Sequence, residues 1–273
     1  MKNIFISLVA ALCLLGCAQK PYVIVQLADV QLGFTAADES QRNGTEYVND
    51  LTFEVECLKK AVTLVNEIKP DAVVFSGDQV HRTWIQEQWT TFESHIADID
   101  PAIKVFHVPG NHDVAFEGDK VDPAPFTERF GPDRFCHTER GVKLVGINTN
   151  LIRFSDAKEA EQTEWMKEVL KKGSDDEVTL VFGHHPFFIA DIDEEEDMYP
   201  GAKEKRHFYF DLFSEMGVDA MYGGHHHSTH AAEYKGVQMK TTTAVGVQLG
   251  PDRSAVRVIT VSKGEVTDKI VEL

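Results

Sequence analysis

Basic residues are scarce in this 273-residue chain: 27 Lys and Arg stand against 44 Asp and Glu, a net charge of −17. That balance argues against nucleic acid or an anionic membrane surface as a partner, because phosphate groups recruit basic faces. Cysteine is scarce too, with four in the chain and none at zinc-finger spacing, so neither a disulfide scaffold nor a thiolate metal site is expected. Gly and Pro show no excess, and repeats and low-complexity tracts are missing, which excludes a fibrous chain. The longest apolar run, Ile4 to Leu15, has twelve residues, well short of the roughly 20 that span a bilayer. What is present is 42% hydrophobic residues, enough to build the core of one or two globular domains.

That single apolar run has a role of its own. Lys2 precedes it and Leu14-Leu15-Gly16-Cys17 closes it, the layout of a signal peptide with a small residue before the cleavage point. The stretch resembles the lipobox of bacterial lipoproteins, which implies cleavage before Cys17 and lipidation of its thiol. An ordinary secretory signal or a buried N-terminal helix is the plainer alternative. The lipoprotein reading divides the chain into a signal peptide, 1–16, and a single domain, 17–273, with 26 basic and 44 acidic residues and a charge of −18. It places the protein in the periplasm or at the outer membrane, touching the membrane only through its lipid anchor. Cys57 and Cys136 would remain. An exported compartment permits a disulfide between them, but two buried free thiols are the simpler expectation.

Short β-branched runs alternate with helical spacing along the rest. Strands are expected at 21–28, 72–75, 103–108, 142–148, 178–182 and 218–222, and helices at 51–69, 83–97, 159–172 and 203–216. Residues 34–50 and 190–200 read as loops, and 230–273 as several further strands. Strand–helix alternation with terminal strands predicts an α/β or α+β sandwich.

The polar clusters fall where such folds bind ligands. Asp29, Asp78, Asn111-His112, His184-His185 and His225-His226-His227 each follow directly on an apolar strand, and ligands of open α/β sheets sit beyond the carboxyl ends of strands. Carboxylate, amide oxygen and imidazole without thiolate suit Mn, Fe, Zn or Co rather than a structural zinc. A shared Asp can bridge two cations about 3.5–4 Å apart, as in two-metal hydrolases.

Asp29-x-Gln31, Gly77-Asp78, Gly110-Asn111-His112-Asp113, His184 and Gly224-His225-x-His227 together resemble the five-part signature of the calcineurin-like metallophosphoesterases. Ala28-Asp29-x-Gln31-x-Gly33, the acidic run 192–197 with Tyr199, and Gly246-x-Gln248-Leu249-Gly250 resemble a subgroup that includes a cytosolic serine/threonine protein phosphatase of animals. The resemblance implies a four-layer αββα sandwich of two mixed sheets flanked by helices, and a centre of two divalent metals, with Mn, Fe or Zn expected. Asp29, His227 and Gln31 would hold the first metal, Asp78 would bridge, and Asn111, His184 and His225 would hold the second. His112 would protonate the leaving group, and a water activated between the cations would attack phosphorus in line. The departure is Gln31, where the family usually has His. A neutral amide oxygen is a weaker ligand than imidazole and shifts preference toward Mn or Mg.

His81 and His185 are further candidates, as an extra metal ligand and as a substrate or supporting group respectively. Asp113 is expected to orient loop hydrogen bonds, and His226 to point away from its neighbours. Lys203, Lys205 and Arg206 could meet a substrate phosphate, though a solvated helix face is the simpler expectation. The implied activity is hydrolysis of a phosphate ester, as a monoester on a small molecule or phosphoprotein. Diester or cyclic-nucleotide hydrolysis on the same core, and a non-catalytic binding lipoprotein, are the alternatives.

Overall fold

The computed structural model describes residues 20–118, 120–154, 156–195 and 203–273. The proposed signal peptide and Cys17 lie outside the described residues, as does the end of the acidic run with Tyr199. Among the described residues no helix is long and apolar enough to cross a membrane.

In chain order the elements are β1 (Tyr22–Leu27), α1 (Phe34–Asn43), α2 (Thr52–Ile68), β2 (Ala72–Ser76), α3 (Gln86–Ile96), β3 (Lys104–Val108), β4 (Ala115–Glu117), β5 (Lys120–Asp122), α4 (Ala124–Phe130), β6 (Phe135–Glu139) and β7 (Val142–Gly146). They continue with α5 (Thr149–Arg153), α6 (Glu159–Val169), β8 (Val178–Phe182), α7 (Lys203–Glu215), β9 (Ala220–Gly223), β10 (His230–Tyr234), β11 (Val237–Thr241), β12 (Ala255–Ser262) and β13 (Glu265–Glu272). One sheet runs β13-β12-β1-β2-β3 and the other β10-β11-β9-β8-β7-β6, with β4-β5 a separate hairpin. Both sheets mix parallel and antiparallel pairs.

Apolar side chains on both faces of the strands build the layers. Val25 and Leu27 of β1 face α2, packing with Leu58, Val62 and Val65, while Tyr22 and Ile24 turn inward against Leu180 and Phe182 of the other sheet. Val181 of β8 faces outward, onto Met166 of α6 and Phe210 and Phe213 of α7. Period-2 alternation with both faces apolar is what a sheet buried on both sides requires. The result is the αββα sandwich. A buried polar seam joins the sheets: the Gln26 amide donates to Ser76 Oγ at 2.9 Å and to the Gly223 carbonyl at 3.1 Å, and accepts from Thr242 Oγ1 at 2.7 Å.

Three local expectations are corrected. Residues 34–43 form a helix, not a loop, because Gly33 and Gly44 are left-handed caps and the buried Glu54 carboxylate accepts from the Thr35 N–H of its first turn. β6 is an additional edge strand, so Cys136 points to solvent while Cys57 is buried; both thiols are free. Of Lys203, Lys205 and Arg206, expected on a solvated helix face, Lys203 stays partly exposed while Lys205 and Arg206 turn to partners within the protein. Lys203 reaches the Asp193 carbonyl at 2.9 Å, Lys205 pairs with Glu159, and the fully buried Arg206 donates to the Glu194 carbonyl at 2.7 Å. The described part of the acidic loop is held by the same means: the Glu194 carboxylate accepts from the N–H groups of Ile189, Ala190 and Asp191.

Candidate metal centre

The carboxyl ends of β1, β2, β3, β8 and β9 deliver five loops to one rim, and cross-loop backbone bonds lock them together. Asp29 N–H donates to the Gly77 carbonyl, Gln31 to Asp78 and Gly224 to His184. Five candidate ligands, Asp29, Gln31, Asp78, His225 and His227, have left-handed backbones with φ between 45° and 64°. Such conformations cost about 1–3 kcal/mol each in non-glycine residues and persist where the surroundings over-determine them.

The residues expected to hold the second metal meet at one atom. His184 Nδ1 donates to the Ser76 carbonyl at 3.1 Å, which leaves Nε2 with its lone pair. That Nε2 lies 3.2 Å from Asp78 Oδ2, 3.2 Å from Asn111 Oδ1 and 3.2 Å from His225 Nδ1. Acceptors facing one another this closely call for a cation between them. A proton can take that place: burial works against charging His184, but Asp78 and Asp29 outweigh it and raise the pKa to about 9. Burial would by itself raise the Asp78 pKa, yet His184 and His112 hold it well below the usual carboxylate range. Burial, reinforced by His184, lowers His225 to about 3.

Expected to hold the first metal, beside His227, is Asp29. Its carboxylate accepts from the His225 N–H at 3.0 Å and stands 3.3 Å from His227 Nε2, whose ring is oriented by Nδ1–H donating to the Val247 carbonyl. Gln31 Oε1 is buried without any hydrogen-bond partner among the described residues. An unsatisfied buried amide oxygen is expensive, and a cation would satisfy it. Two convergent clusters emerge among the described residues: Asp29, Asp78 and His184; and His184, His185 and His225. The donor set fits a divalent metal centre.

His112, the expected proton donor, is held by two hydrogen bonds. Its N–H donates to Asp78 Oδ1 at 2.8 Å and its Nδ1 to the His81 carbonyl at 2.8 Å, leaving Nε2 available. His81 joins neither cluster. Its ring stacks on His112 at 4.6 Å, its Nδ1 lies 3.4 Å from Gln31 Nε2, and burial with His112 lowers its pKa to about 4. His185 Nδ1 contacts Thr149 Oγ1 at 3.2 Å and its ring lies 4.4 Å from that of His225; burial depresses its pKa. Asp113 accepts from the N–H groups of Gly110, Gln79 and Val80, binding the loops after β2 and β3 together. His226 turns toward Ser228 and His230, away from the ligands.

The sequence reading passed over Thr149, whose hydroxyl accepts from the N–H groups of both His184 and His185. Its signal was present: Asn148-Thr149-Asn150 is a polar triplet directly after an apolar strand, the same pattern that marked the other loops.

A family model, calcineurin-like phosphoesterase, matches residues 22–229. The chain belongs to the calcineurin-like phosphoesterase family. Its curated relatives include serine/threonine-protein phosphatase CPPED1 of Bos taurus, 28% identical over 267 residues that make up 93% of this chain and 84% of that one. The Danio rerio protein of that name is 29% identical over 261 residues, covering 90% and 83%. Among solved structures, a purple acid phosphatase from yellow lupin superposes with a TM-score of 0.69 at 14% identity, over 92% of this chain and 52% of the other. A dimetal phosphatase from Danio rerio superposes with a TM-score of 0.63 at 17% identity, over 93% and 99%. At those identities the structures speak for the phosphoesterase fold. The family membership and the rim of oxygen and imidazole donors make this protein a metal-dependent phosphoesterase, a hydrolase of phosphate esters.

Proposed function

We propose that the protein is a phosphomonoesterase working with two divalent cations, and that it acts outside the cytosol as a lipoprotein anchored at Cys17. The observation that carries the two-metal reading is the convergence of Asp78, Asn111 and His225 on His184 Nε2, beside the partnerless Gln31 oxygen. Asp29, Gln31 and His227 would hold one cation, Asn111, His184 and His225 the other, with Asp78 shared. Oxygen and imidazole donors without thiolate favour Mn, Fe or Zn. When bound, the cations supply Lewis-acid polarisation of the phosphoryl oxygens and a water of lowered pKa.

The chain's own residues do the rest. Ser76 and Val247 carbonyls orient His184 and His227 through Nδ1, so that Nε2 faces the centre; such supporting bonds set the tautomer of metal-binding imidazoles. His81 orients His112 in the same way, so that Nε2 can hold the proton for the leaving-group oxygen. The monoester preference is supported by the name that the curated relatives carry, serine/threonine-protein phosphatase. An exported enzyme meets few phosphoproteins, so a small phosphorylated molecule is the preferred substrate. The acidic surface disfavours nucleic acid.

The test is to strip metals, add back Mn, Fe, Zn or Mg singly, and assay p-nitrophenyl phosphate beside bis-p-nitrophenyl phosphate. Faster turnover of the monoester is expected. Preference for the bis-ester would establish diester hydrolysis, and no turnover of any phosphoester under any metal would leave a binding lipoprotein.

A further inference from the structure

Next to His112 lies a cleft of about 440 Å³, walled on one side by Arg82 and Trp84 from the β2–α3 loop and on the other by Phe116 from the β4–β5 hairpin. We propose that this cleft is the leaving-group subsite and that it takes a planar aromatic ring. The inference rests on the phosphoesterase reading with His112 as proton donor.

Direction comes from His112. With Nδ1 committed to the His81 carbonyl, Nε2 is the atom left for the leaving-group oxygen. Whatever is bonded to that oxygen continues into the cleft that His112 and Asn111 themselves line. Hydrolysis breaks the P–O bond to this group; water supplies the oxygen that phosphorus gains, and the proton from Nε2 neutralises the departing oxygen.

Chemistry comes from the walls. Trp84 is 76% exposed and Phe116 44% exposed, two large rings left in water at the mouth of a site. Exposed apolar surface beside a site marks binding. The loop that carries Trp84 and the Phe116 ring are both held in place. The Gln88 side-chain oxygen accepts from the N–H groups of His81 and Arg82, and Trp89 Nε1 donates to the Thr83 carbonyl at 2.9 Å, pinning the loop just before Trp84. Phe116 packs edge-on against Phe154 at 4.8 Å. Arg82, the one Arg or Lys among the described residues lining the cleft, lies over the Tyr47 ring at 3.9 Å and faces Trp84 at 5.8 Å. Exposed ring faces offer stacking, and offer little to a polyol.

The metal-loaded full-length protein is to be assayed with phenyl phosphate, whose ring sits on the ester oxygen, with adenosine 5′-monophosphate, whose ring lies beyond a sugar, and with glycerol 3-phosphate, which has none. In Trp84→Ala the kcat/KM ratio of a ring substrate to glycerol 3-phosphate should fall about fivefold or more, the scale of one aromatic stack, with the fall carried by KM. Trp84→Phe should restore it. Which ring substrate loses more reads the depth of the subsite. A ratio that does not move in Trp84→Ala or Phe116→Ala overturns the proposal. If the wild type turns over none of the three, the phosphomonoesterase reading fails instead. The cleft is then judged by fluorescence: adenosine should quench the exposed Trp84, and an unquenched signal counts against the subsite.

Discussion

The two ends of the sandwich bend the backbone the same way for opposite reasons. At the end where β1, β2 and β9 finish, Asp29, Gln31, Asp78, His225 and His227 take positive φ, all but His225 buried. At the far end the same conformation falls on Lys69, Arg140, Lys235 and Lys263, all exposed. The far-end cases are local. Lys69 closes α2, and the other three each precede a glycine of positive φ in a two-residue hairpin turn, whose twist suits the strands it joins. The rim cases are held by distant parts of the chain, such as the Gly77 and Asp78 carbonyls that take the N–H groups of Asp29 and Gln31. The far end shows what folding needs; the rim shows strain kept for chemistry.

The largest effect should follow from leaving rim geometry intact and removing only the proton. His112→Asn should cut turnover about 10²–10⁴-fold, the usual worth of a positioned acid, while metal content measured by atomic emission stays at the wild-type level. Turnover that survives intact would strip His112 of that role and make the rim a metal site alone.

The same contrast explains what could be read from the sequence. The strands and the five polar clusters behind them were legible because apolar runs ending in Asp, Asn or His carry their own signal, and the sandwich follows from them. The far-end turns carry a local signal that the sequence analysis did not use, the dipeptides Arg140-Gly141, Lys235-Gly236 and Lys263-Gly264. Helix α1 was hidden because its sequence, FTAADESQRN, is polar and its hold on the fold is the distant Glu54. Left-handed ligands, the Thr149 hydroxyl on two histidine N–H groups, and the cleft between Trp84 and Phe116 depend on loops meeting in space, which no spacing reports.

Glycines sharpen the comparison at intermediate cost. A Cβ on Gly110 would stand 2.0 Å from Asp78 Oδ1 and 2.3 Å from its backbone nitrogen, whereas one on Gly264 meets nothing within 4 Å. Gly110 is there for room, Gly264 for its φ of +79°. Gly110→Ala must push the Asp78 loop aside. It should cost about 1–3 kcal/mol in urea unfolding, the range for overpacking, and lower metal content at the same time. A variant that lost stability yet bound metal normally would show that the loop after β3 does not set the position of Asp78.

The smallest effect belongs to the far end, and it tests whether the two ends are independent. Lys263 holds φ 54° in front of Gly264, a conformation that Asn adopts more readily than Lys because its short side chain bonds the local backbone. Asn-Gly is the favoured pair for this turn, so Lys263→Asn should raise stability by up to about 0.5 kcal/mol, the scale of a surface substitution. Thermal unfolding should rise slightly and kcat/KM should not move, since the β12–β13 turn sits at the opposite end of β12 from the rim. A change in turnover would mean that strain at the rim is balanced through the whole length of β12 and β1, and that the two sets of left-handed residues form one coupled system.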